Sequence, residues 1–247
     1  MRREGRGSRG TSGIRALTIA LAVAALLGCS SSGGSGSAKT TAPAGQTTTG
    51  GPGAPTSTST AAGGFDITSV ALTGPQISTM VPGLDGGTAA NASFQVVPRI
   101  DWCGTNAIAL QSPPTSLVVG SFTDPAGRGV FFEYGYYPRT IDAAVKAERR
   151  PASCAHGVFG SIAGAAGKGT AVTAAGTPSL VGNAPAGSYG SRFTIDRGGF
   201  GSEAYFRVGH VLARLQVIAP KQAQVDQDFA TISTQMVTRL LAGAAHS

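Results

Sequence analysis

Charge is what this chain has least of. Only 13% of its 247 residues are Asp, Glu, Lys or Arg, against about 25% in an ordinary soluble domain. Such a chain cannot present a densely acidic or basic face. Histidine (three), cysteine (three), methionine (three) and tryptophan (one) are also scarce, which leaves few ligands for a soft metal. The longest uncharged apolar run, Ala16 to Leu27, spans about 18 Å as a helix, and crossing a bilayer takes about 20 residues. Glycine, with 37 residues, is abundant, and the hydrophobic share of 41% is too high for a wholly disordered chain.

The first thirty residues carry the clearest message. Arg2, Arg3, Arg6, Arg9 and Arg15 against Glu4 give a basic segment, and the uncharged run follows it. Positive segment, short apolar segment and small residues make the profile of a signal peptide. The run closes on Leu26-Leu27-Gly28-Cys29, which resembles the bacterial lipobox. That resemblance implies diacylglycerol (palmitate-type) modification of the Cys29 thiol, with residues 1–28 removed. Two or three acyl chains anchor stably where one binds reversibly. The expected location is the extracytoplasmic face of the cell membrane, held by the lipid on Cys29. From Cys29 onward 14 basic and 11 acidic residues remain. The formal charge of +7 therefore belongs largely to the peptide that leaves.

Residues 29–64 then read as a tether. Ser30 to Gly64 holds one charge, Lys39, and no large apolar side chain. Such a segment cannot bury enough surface to offset the entropy of ordering. As a flexible coil it reaches roughly 30–35 Å. Its Thr/Pro clusters are compatible with O-linked sugar or with a bare spacer.

Residues 65–247 are expected to fold as one α+β domain, an antiparallel sheet with helices packed on one face. Thr73-Gly74-Pro75 opens a helix that runs to Val81, with Pro where its missing N–H is harmless. Strands are expected at Ser93–Val97, Val130–Tyr137, Ser188–Asp196, Glu203–Val208 and from Val211 onward. The pair Gly209-His210 has the glycine-first form of a type II′ hairpin. Thr140 caps a helix over 141–150. Pro220 opens the last helix, where Val225, Phe229, Ile232, Met236 and Leu240 form one apolar stripe. The Gly/Ala-rich stretch from Gly160 to Gly176 reads as a long loop with at most a short strand.

Cys103 and Cys154 are the cysteines left in the domain. An exported, even pair is most simply a disulfide. The order of features now has a parallel. Pro98 precedes Cys103, an aromatic strand and an Ala-rich helix lead into Cys154, and AYFRVGHVLARLQVIAP precedes the terminal helix. This order resembles the extracellular sensor domain of mycobacterial receptor Ser/Thr kinases of the PknH type, a domain also carried by actinobacterial surface lipoproteins. The resemblance covers roughly Phe65 to Leu241 and implies a sensor-like binding domain. The chain lacks that family's second disulfide and, before Cys154, has Arg149, Arg150 and Pro151 where a Trp is expected.

Catalytic motifs do not assemble. No GxSxG elbow is present, so a serine triad has no nucleophile to build on. Gly167-Lys168-Gly169-Thr170 lacks the first glycine of a phosphate loop. His246 lies in the terminal tail, His210 at a hairpin tip and His156 in a loop after Cys154. Asp226 and Asp228 read as the solvated face of the last helix, and Glu133 as the outward residue of an aromatic strand. Lys146, Arg149 and Arg150 read as a solvated helix end, with anionic lipid or wall polymer as the alternative. No metal site, cofactor or catalytic residue is expected, and no nucleic-acid contact. Phe132, Tyr134 and Tyr136, with Trp102, are the candidates for a ligand groove.

The leading expectation is a non-enzymatic surface lipoprotein that binds a small ligand or an envelope protein. Two alternatives stand beside it. One is a cell-wall-active hydrolase using Glu133 or His156, and the other is a structural or accessory envelope lipoprotein.

Overall fold

A computed structural model describes residues 65–90, 97–105, 109, 111, 113–161, 169–196 and 198–244. Every element below lies in the unit Gly64–Ser247. Cys29 and the expected strand residues 93–96 lie outside the described residues.

Nine strands form one antiparallel sheet in the order β1-β3-β4-β9-β8-β7-β6-β5-β2. They are β1 (Asp85–Ala90), β2 (Arg99–Asp101), β3 (Ser116–Thr123), β4 (Gly129–Tyr136), β5 (His156–Ser161), β6 (Thr170–Gly176), β7 (Tyr189–Ile195), β8 (Phe200–Val208) and β9 (Val211–Ala219). Three α-helices are delimited among the described residues: α1 (Gly74–Met80), α2 (Ile141–Glu148) and α3 (Gln222–Ala244). The fold is thus α+β with one disulfide, as the sequence predicts. The Gly/Ala-rich stretch holds more structure than expected, because β6 occupies its second half.

One face of the sheet is a dry core under α1 and α3. Val118, Phe132, Tyr134, Phe206, Ala213, Leu215 and Val217 meet Val225, Phe229, Ile232, Met236 and Leu240 there. The α3 residues are the stripe read from the sequence. Each fully buried side chain of this kind contributes about 1.5–3 kcal/mol relative to exposure. Glycine makes room for the rings: a Cβ on Gly120 would lie 2.1 Å from the Phe132 ring. At the β8–β9 turn, Gly209 has φ +54° and His210 shows no positive φ, the type II′ pattern.

The opposite face closes on itself. Arg99, on edge strand β2, lies 3.4 Å from Glu133 on β4, although five strands separate β2 from β4 in the sheet. The sheet must curl for the two to meet. Ile100, Trp102, Leu117, Val119, Phe131, Phe159, Val172 and Phe193 fill the inside of the curl. Helix α2 packs at one end of it, with Ile141 and Ala144 against Tyr137, Tyr205 and Leu212. Both faces of β4 are therefore buried. The disulfide Cys103–Cys154 ties the chain just after β2 to the loop leaving α2 (Cα–Cα 6.1 Å).

Candidate functional site

Strand register assembles a polar row inside the curl. Glu133 on β4 stands opposite Arg214 on β9, Arg214 opposite Tyr205 on β8, and Tyr205 opposite Tyr189 on β7. One step along, Gln216 faces Glu203 and Glu203 faces Ser191. Two further charges come from outside these strands: Arg99 from β2 and Glu148 from the last turn of α2. All five charged residues are buried, at 2–6% exposure.

The two arginines act as bridges. Arg99 pairs with Glu148 and approaches Glu133 at 3.4 Å. Arg214 pairs with Glu133 at 3.1 Å, approaches Glu203 at 3.8 Å and donates to the Pro98 carbonyl at 3.0 Å. The Tyr205 hydroxyl donates to Glu148 at 3.3 Å. Burial opposes the charge on Arg99, but Glu133 and Glu148 outweigh it and hold the guanidinium firmly protonated. Burial also pushes Tyr137, Tyr189 and Tyr205 well up, helped by the neighbouring carboxylates. Glu203 rises from 4.5 to about 7, through burial first, with Arg214 opposing. Glu133 Oε1, Gln216 Nε2 and Gln216 Oε1 have no hydrogen-bond partner among the described residues.

A cavity of about 10 Å³ lies among these groups, lined by Arg99, Glu133, Tyr137, Glu148, Tyr205 and Arg214 with apolar neighbours. That is room for about one water molecule. Among the described residues no group of three His, Cys, Asp or Glu is placed to hold a metal.

Of the residues proposed for a groove, Phe132, Tyr134 and Tyr136 lie on one face, with the Phe132 and Tyr134 rings 5.7 Å apart, and Trp102 does not join them. Phe132 and Tyr134 are fully buried in the core under α3, where the Tyr134 hydroxyl accepts from the Leu72 N–H at 3.2 Å. Trp102 is buried on the opposite face, inside the curl. Tyr136 alone is half-buried, stacked on Phe65 at 5.7 Å. The cause is that both parities of β4 face a core, so no aromatic set is left over for a groove. Glu133 is likewise an interior residue and not an outward one. Asp228 is buried and paired with Arg128 at 3.2 Å, not solvated. Arg150 is not a free helix-end charge: it lies over Trp102 and donates to Ser191 and to the Cys154 carbonyl. His156 belongs to β5 and not to a loop; it is exposed, with Nδ1 3.2 Å from Thr173 Oγ1.

Sequence reading misses Arg99, Glu148, Glu203, Arg214 and Tyr205 as a group. The signal available was Glu203 and Arg214 in strands otherwise made of core residues, since a charge within a buried strand needs a partner.

No protein-family model matches the chain, and no curated protein matches it. Among solved structures there is a match in fold. The extracellular domain of PknH from Mycobacterium tuberculosis is similar, with a TM-score of 0.50 and 9% identity over 73% of this chain and 95% of that one. At that identity the likeness is one of fold. A putative uncharacterized protein from Mycobacterium smegmatis also aligns, at TM-score 0.39 and 10% identity, over 70% of this chain and 96% of that one. The relation to the PknH-type domain expected from the order of features thus holds for the fold.

Proposed function

We propose that the chain is a lipid-anchored extracytoplasmic protein whose α+β domain binds a ligand or partner without catalysing a reaction. The observation that carries the non-enzymatic reading is the filling of the polar interior. Its carboxylates are engaged by the protein's own arginines, and the space left among them admits about one water. A glycoside or ester cannot enter such a site, and paired carboxylates need substrate between them to act. The disulfide supports an oxidising compartment, and the similarity in fold to an extracellular domain agrees with it. Anchoring rests on the lipobox at Cys29, and the tether at 29–64 is the natural spacer between lipid and domain. The sparse charge of the domain favours neutral contacts with a small ligand or an envelope protein over polyanions.

Two measurements test this reading. Cys29→Ala is expected to move the protein from the membrane fraction to the soluble one. Unchanged partitioning overturns the anchor. Turnover of wall glycans or esters by the purified protein, abolished by Glu133→Gln, would replace the binding role with the hydrolase.

A further inference from the structure

The charges inside the curl do not balance. Glu133, Glu148 and Glu203 oppose Arg99 and Arg214, so these five buried groups sum to one excess negative charge when all are ionised, with the half-buried Arg150 nearby on Ser191. Burying that charge is costly, and proteins usually neutralise such a site by holding a proton. The geometry identifies the carboxyl that takes it. Glu133 touches both arginines, and Glu148 has Arg99 and the Tyr205 hydroxyl. Glu203 has the longest ion pair of the cluster, 3.8 Å to Arg214. Directly opposite it stands Gln216, whose amide nitrogen and oxygen both lack a hydrogen-bond partner among the described residues, as does Glu203 Oε2.

Two stretches close over this row: β2 with the Pro98 carbonyl ahead of it, and the stretch from α2 to Cys154. Helix α2 brings Glu148, and the loop after it brings Arg149 over Tyr189 and Arg150 to Ser191, the residue opposite Glu203. This second stretch ends at the disulfide. We propose that α2 and the loop to Cys154 form a proton-dependent cover, which binds one proton as it closes on the sheet and loosens on alkalinisation.

The sign follows from the groups facing Glu203. Arg214 on β9, Arg99 on β2 and a hydrogen bond from the Tyr205 hydroxyl favour its charged form. Burial and Glu148 on α2 oppose that form and prevail, giving a value of about 7 against 4.5 in water. Tyr205 and Tyr189 stay neutral across this range. A group whose folded value is raised holds its proton in the closed state and releases it when opened. Closure is therefore favoured most below the ordinary carboxylate range and loses its advantage as pH rises from about 4.5 to about 7.

Amide hydrogen exchange on the full-length protein tests this, with rates corrected for intrinsic pH dependence. Opening of Ile141–Glu148, relative to the amides of α3, is expected to increase tenfold or more between about pH 5 and about pH 8. Glu203→Gln should abolish that increase. A pH-independent ratio in the wild type, or an undiminished increase in the variant, overturns the proposal. Should the variant fail to fold, carboxyl-carbon NMR of the wild type decides: a buried Glu titrating near neutrality supports it, and all Glu titrating in the ordinary range overturns it.

Discussion

Arg214 meets Glu133 on its own side of the sheet, Glu203 on the next strand and the Pro98 carbonyl ahead of β2. Replacing a buried pair by matched apolar groups is often harmless, but removing one partner strands the other in low dielectric. Arg214→Ala is therefore expected to cost about 3–5 kcal/mol, read as a lowered urea midpoint. A similar loss should not follow at Arg207, whose pairing with Asp142 is exposed. The alternation of β4 is plain in the sequence, yet alternation conventionally marks one wet face. Here the sheet curls, so the second parity is inside too, and Glu133 moves from surface to centre. Nothing local to Glu133 announces this, because its partner Arg99 comes from a distant strand whose position only the closed sheet defines.

Among the elements, α3 is the one most fully specified by local pattern. Its stripe at helical spacing falls on the core as expected, and Phe229 is 2% exposed. Phe229→Ala is expected to cost about 3–5 kcal/mol and to lower the thermal midpoint without changing the fold. The strands divide differently. β4, β7, β8 and β9 carry aromatic and β-branched residues and are legible. β1 (DGGTAA) and β6 (TAVTAAG) are built from small residues and are strands because a neighbour pairs with them. Strand propensity largely measures such context, so a scan along the chain passes over them. Helix α2 is legible as a helix, but that it plugs the inside of the curl, opposite α3, depends on Tyr205 and Leu212 far along the chain.

At the scale of the molecule, the curl is fixed by one covalent link and two cores. The disulfide closes a loop of 51 residues, worth about 4 kcal/mol in the chain-entropy model. It secures the edge strand β2 to the loop that leaves α2. Cys103→Ser with Cys154→Ser is expected to lower stability by about that amount, measured by denaturant unfolding. The larger part of the loss should appear as faster exchange in β2 and α2, the segments the bond joins.

The curl also makes the two borders of the sheet unlike. β2 is three residues long, mostly buried and shifted in register against β5, and it is turned inward over the sheet's own face. β1 is six residues long and exposed throughout, with Asp85 its one charge. Unpaired backbone at a sheet border invites another strand. A sheet with two open borders can grow without limit, layer after layer; one with a single open border is satisfied by a single neighbour. Domains with such borders that met edge to edge would stop at pairs. The curl that buries the charges is thus also a chain terminator, set against stacking.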